Sequence, residues 1–90
     1  MTAVQLSIAE ILFVKYRSMT PNLMDIVRDY YPQLSKAEAL RKASNQAFPF
    51  PVFRLDKSKR APYLVHINDL AKAIEDEYEK SASDHTKLHQ

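Results

Sequence analysis

The sequence holds no glycine, no cysteine and no tryptophan, and the first two absences remove whole classes of function. Without glycine there is no phosphate-cradling loop, no strained nucleophile turn and no two-residue hairpin turn that puts glycine at positive φ. Any hairpin here must close through a longer loop. Without cysteine there is no disulfide framework and no thiolate metal site, which fits a reducing compartment. The apolar runs fall far short of the roughly 20 residues of a membrane span, and the first residues lack the basic-then-apolar order of a signal peptide. A cytoplasmic chain with no membrane contact is expected. Its 90 residues suffice for one domain with a small core and leave little room for a large active site.

Charge is nearly balanced overall at +2, but it is unevenly distributed. Residues 36–60 carry seven cations (Lys36, Arg41, Lys42, Arg54, Lys57, Lys59, Arg60) against Glu38 and Asp56. Residues 69–80 carry five acids against Lys72 and Lys80. The middle of the chain is therefore the part that suits an anionic partner.

Apolar residues recur at helical spacing from Val4 to Tyr16 (Val4, Ile8, Ile11, Leu12, Tyr16, widened by Ala9 and Phe13), which predicts a first helix ending near Arg17. Thr20-Pro21 reads as the N-cap and first position of a second helix, with Met19 and Met24 as a hydrophobic staple and Leu23, Ile26, Val27 and Tyr30 as its buried stripe. Pro32 should end that helix by driving Tyr31 out of the α region. Ser35-Lys36-Ala37-Glu38 is a capping box that opens a third helix. On it Leu40, Ala43 and Ala47 should face the core, and Glu38, Arg41, Lys42, Asn45 and Gln46 the solvent.

Phe48-Pro49-Phe50-Pro51 cannot continue a helix, and Val52–Leu55 and Tyr63–Ile67 are β-branched and aromatic runs of strand length. Paired as a hairpin they leave Lys57, Lys59 and Arg60 at its tip, with Pro62 at an edge where a missing donor is tolerated. Asn68 is the expected cap of a last helix carrying Leu70, Ala71, Ile74 and Tyr78 on its core stripe. Residues 81–90 show no period and read as a disordered tail.

The order helix, helix, short turn, helix, hairpin, helix is that of a winged helix-turn-helix: a mainly α fold with a small β-hairpin, occupying residues 1–80 as a single DNA-binding domain. In that arrangement the helix at 36–47 enters the major groove, where Arg41, Lys42, Asn45 and Gln46 are types that read base edges. The basic wing at 56–62, with Lys57, Ser58, Lys59 and Arg60, meets the backbone or the minor groove. Lys36 and Arg54 complete the expected contact set, although Arg54 could instead pair with Asp56 or another acid. Tyr30, Tyr31, Phe48, Phe50, Phe53 and Tyr63 read as packing residues. His66, His85 and His89 show no metal-ligand spacing, and no cofactor and no catalysis are expected.

The stretch LSKAEALRKASNQ, followed by PVFRLDKSKRAPYLVHINDLAKAI, resembles the pyocin activator protein family, small phage-type regulators that switch on bacteriocin or prophage genes. The similarity runs from about Ile11 to Ile74, and the layout is more distantly similar to excisionase-like winged helices. Where a glycine-containing turn would be expected after the third helix, this chain has Asn45-Gln46-Ala47. The resemblance implies a transcriptional activator that binds double-stranded DNA at the nucleoid, with RNA polymerase or another regulator as a second partner. An excisionase-like directionality factor that bends attachment-site DNA is the alternative. One recognition helix reads few base pairs, so a homodimer or an array on DNA is expected.

Overall fold

The structure, a computed structural model, describes residues 6–89. It contains four helices, α1 (Ile8–Tyr16), α2 (Leu23–Tyr30), α3 (Lys36–Ser44) and α4 (Ile67–Leu88). α1 packs chiefly on α4, and α2 on α3.

The first helix starts later than its apolar spacing suggests, because Ser7 caps it: the Ser7 hydroxyl accepts from the Glu10 N–H at 3.1 Å. Val4 lies outside the described residues. The helix closes as expected at Arg17, which takes the left-handed conformation at φ 54° while its N–H reaches the Phe13 carbonyl. In most proteins glycine would occupy such a position, and a side chain there costs about 1–2 kcal/mol. Only Leu12 of α1 is fully buried; Ile8, Ala9 and Tyr16 pack partly, whereas Ile11 and Phe13, expected in the core, are exposed.

The second helix begins at Leu23, two residues beyond the expected Pro21. The Asn22 side chain is its cap, accepting from the Met24 N–H at 2.8 Å. The reason is tertiary. Pro21 accepts a hydrogen bond from the Val65 N–H, and Asn22 bridges to Leu64, so the chain stays extended until Leu23. Met19 accordingly does not staple Met24; it is exposed, and its carbonyl holds the Ile67 N–H instead. Tyr31 leaves the α region at ψ 52°, as Pro32 requires.

The capping box at the start of α3 is present, with Ser35 and Glu38 exchanging both hydrogen bonds. The buried face of α3 is Ala39 and Ala43; Leu40 and Ala47, expected inside, are exposed. Two alanines allow α3 to lie close against α2, and the wider Leu40 is left at the rim. The last helix is capped by His66, whose Nδ1 accepts from the Asn68 N–H at 3.1 Å, and not by Asn68. It continues to Leu88, so residues 81–88 are helical where a disordered tail was expected. No glycine or proline interrupts this stretch, and a nucleated helix extends at little cost per residue. Lys72–Asp76 and Lys80–Glu77 pairs lie along it, and the Thr86 hydroxyl bonds to the Ala82 carbonyl. His85 and His89, one turn apart, stack at 4.1 Å between centroids.

The expected strands shrink to isolated bridges, so a winged β-hairpin is not formed as such among the described residues. Phe53 and Leu64 exchange both backbone hydrogen bonds, at 3.0 and 2.7 Å, and Leu64 bridges to Asn22 on its other side. Proline at 51 and at 62 removes donors from both segments, and the long loop between them pins no register of its own. The core gathers Leu23, Ile26, Val27, Phe50, Val52, Val65, Ile67 and Leu70 around this junction. Phe48 and Phe50 stack at 5.3 Å, and Tyr31 meets Phe48 edge-on. Tyr30 and Tyr78, expected to pack, are exposed.

One polar cluster ties α1 to α2. Tyr16 donates its phenolic O–H to Asp29 at 2.8 Å, with Lys15 and Arg28 beside the same carboxylate. Burial, helped by this hydrogen bond, pushes the Tyr16 phenol above its ordinary range. The phenol in turn holds the Asp29 carboxyl below its usual value, with Arg28 and Lys15 adding to the effect. The Ser35 hydrogen bonds likewise depress Glu38. Both carboxyls have folded pKa values below their unfolded ones. Their contribution to stability is therefore complete above about pH 5 and disappears on acidification through the folded values. Asp29→Asn and Glu38→Gln should each flatten the acid limb of a melting-temperature profile; an acid limb as steep as that of the wild type contradicts the assignment.

Candidate nucleic-acid interface

Among the described residues, four of the six cations outside residues 36–60 have a carboxylate partner, and Arg17 and Lys87 have none. Lys15, Arg28, Lys72 and Lys80 all sit in ion pairs. Among the described residues none of the seven between Lys36 and Arg60 has a carboxylate within ion-pair distance. Arg54 does not pair with Asp56, which instead accepts from the Ser58 N–H at 3.4 Å. Unpaired surface cations are cheap to keep in water, and like charges gathered on one part of a surface attract polyanions.

Four of these residues share one space. Lys36 at the start of α3, Arg54, Lys59 and Arg60 line a cleft of about 440 Å³, together with Asn22–Met24 at the start of α2, Leu40 and Ala61–Tyr63. The walls contain no acid. The loop that supplies Lys59 and Arg60 is shaped by Ser58, whose hydroxyl accepts from the Arg60 N–H and whose carbonyl accepts from the Ala61 N–H. Ser58 is thus an organiser of the loop, and Lys57 is exposed on it.

The Phe53–Leu64 pair sets Arg54 opposite Tyr63, and the guanidinium carbon lies 4.0 Å from the centre of that ring. The sequence marked Arg54 but not Tyr63, which read only as a packing residue. Counting back from the two ends of the hairpin would have placed them together, since adjacent cross-strand positions face one another. Leu40 and Asn22 were likewise missed, because an exposed leucine and a helix cap carry no signal of a cleft wall.

Along α3 the expected base-reading residues divide. Arg41 and Asn45 are exposed on the helix and at its end. Lys42 is half-buried with its ammonium 5.5 Å from the Phe48 ring, so part of its side chain is committed to packing. Gln46 has another task. It adopts φ 50° and ends the helix in a Schellman arrangement, its N–H meeting the Ala43 carbonyl and the Ala47 N–H the Lys42 carbonyl. Its side-chain amide then donates to the Val52 carbonyl at 2.8 Å and accepts from the Val52 N–H at 3.2 Å. Val52 points these groups away from Leu64, so Gln46 stands in for the next strand of the sheet. Glutamine replaces the expected glycine because it caps the helix and the sheet edge at once. One amide N–H and the amide oxygen of this exposed residue are thus engaged with the backbone.

Among the described residues no group of three or more His, Asp or Glu side chains is placed to hold a metal ion, and no helix is long and apolar enough to cross a membrane.

Gln46→Ala should therefore cost about 1–3 kcal/mol of stability, because it leaves the Val52 N–H and carbonyl without partners. Chemical denaturation measures this. Gln46→Gly, which relieves the left-handed backbone but loses the same two hydrogen bonds, should recover only part of the loss. Wild-type stability in Gln46→Ala would show that the amide does not hold Val52.

A family model described as pyocin activator protein PrtN matches residues 8–81, which includes every residue of the cleft and most of α4. No curated protein and no solved structure shows a significant match to the chain.

Proposed function

The chain belongs to the pyocin activator protein family, and from that premise we propose that it is a DNA-binding activator of prophage or bacteriocin genes. α3 lies in the major groove and the loop at 56–62 acts as the wing. The observation that carries this reading is the set of seven cations between Lys36 and Arg60 without acidic partners, four of them on one cleft. Lys36, Arg54, Lys57, Lys59 and Arg60 take backbone phosphates, which position the protein and release counterions. Arg41 and Asn45 reach base edges, guanine suiting the first and adenine the second. Lys42 contributes charge at the rim, Ser58 holds the wing in shape, and Gln46 supports the end of the reading helix without touching a base.

Residues 1–80 carry DNA binding in this account, and activation requires a second contact. The exposed acidic stretch Glu75–Glu79 on α4 is the surface for it, with RNA polymerase or another regulator as the partner. Two copies, or an array, extend the few base pairs that one α3 can read.

Selection from a pool of random duplexes at two salt concentrations tests the reading. The expected outcome is a recovered motif with steep salt dependence; no retention at either salt moves the function to protein partners. Lys59→Ala combined with Arg60→Ala should weaken binding to all sequences alike and lower the salt slope by about two phosphate contacts. Arg41→Ala should instead relax discrimination at particular base pairs by roughly 1–3 kcal/mol. A uniform loss for Arg41→Ala would move that residue to the backbone, and strong bending at tandem sites beside a recombination site would favour the directionality factor.

A further inference from the structure

We propose that Arg54, held over the Tyr63 ring, is a preformed receptor for a single DNA backbone phosphate, and that Tyr63 is the residue that positions it. The proposal rests on the DNA-binding reading above and adds how one phosphate is held and which residue sets the geometry.

Three observations converge. First, the guanidinium carbon lies over the Tyr63 ring, 4.0 Å from its centre, in cation–π contact that restrains where the guanidinium can go. Second, the Arg54 Nε is buried and, among the described residues, has no hydrogen-bond partner; no other buried side-chain nitrogen or oxygen there is left so. A desolvated donor on a permanent cation demands an acceptor, and an anion entering the cleft is one. Third, the cleft walls hold Lys36, Lys59 and Arg60 and no carboxylate, so among the described residues no acid neutralises Arg54 there.

At the start of α2 the Leu23 N–H donates to the Tyr63 carbonyl and the Met24 N–H to the Asn22 side chain, so these two backbone donors are already engaged. The same Leu23 bond fixes the backbone of Tyr63 from behind, and the Phe53–Leu64 pair fixes that of Arg54. Both members of the stack therefore sit on restrained backbone, which reduces the entropy lost when the guanidinium engages a ligand. A planar fork donating two hydrogen bonds matches two oxygens of a phosphodiester, a geometry that lysine cannot reproduce. The cleft thus recognises phosphate by shape as well as by charge.

The test is the affinity of the full chain for a short random-sequence duplex across a salt series, for wild type, Arg54→Lys, Arg54→Ala, Tyr63→Phe and Tyr63→Ala. Arg54→Lys should weaken binding about tenfold with the salt slope unchanged, because the charge stays and the fork is lost. Arg54→Ala should also lower the slope by about one contact. Tyr63→Phe should bind like wild type, and Tyr63→Ala like Arg54→Lys. In wild type the Arg54 Nε–H resonance should shift on adding the duplex, a readout that needs no variant to fold. Wild-type affinity in Arg54→Lys, or an Nε–H resonance that does not move while the duplex binds, overturns the receptor and leaves DNA binding standing. Failure of the wild type to bind any duplex overturns both.

Discussion

Leu64 is paired on both sides, to Phe53 through two backbone hydrogen bonds and to Asn22 through the contacts that flank it, and most of the molecule takes its register from that residue. The pairing holds Pro21 and Asn22 extended, which fixes where α2 begins. It brings Val65 and Ile67 into the core and leads into the His66 cap of α4. On the other side it sets Arg54 against Tyr63 and turns the outward groups of Val52 toward Gln46. So little sheet would ordinarily be weak. Here it is enclosed by α2, the end of α3 and α4, and its outer edge is closed by a side-chain amide.

The absence of glycine explains much of what is unusual in the fold. Two helices end on residues in the left-handed conformation, Arg17 and Gln46, and both are side chains where glycine is the common choice. The loop at 54–63 cannot tighten into a two-residue turn, so it stays wide and is organised by Ser58. That width opens the cleft between the loop and the starts of α2 and α3. A tighter hairpin would extend the sheet and would carry its cations farther from Lys36.

Local signals in the sequence were read correctly where they were self-contained. The Ser35–Glu38 capping box, the end of α2 before Pro32 and the basic character of residues 36–60 depend on neighbours a few positions apart. The readings that failed depended on tertiary contacts. Thr20-Pro21 has the form of a helix start, but strand pairing at Pro21 and Asn22 overrides it. Asn68 is a better cap than histidine by type, yet the Ile67 N–H is taken by Met19, and the helix is entered two residues earlier, through His66. Gln46 is exposed as expected, but nothing nearby in sequence announces the Val52 backbone as the partner of its amide. Of the site, the cations were visible in the sequence and their enclosure was not; Tyr63, Leu40 and Asn22 became part of it only when the chain folded.

The central claim is that the unpaired cations between Lys36 and Arg60 form a surface for DNA. The most direct measurement is the change in backbone amide resonances as a short duplex is added at low salt. Shifts concentrated at residues 36–45 and 53–63 are expected, with the outer half of α4 unaffected. Shifts confined to α4, or none at all, would contradict it.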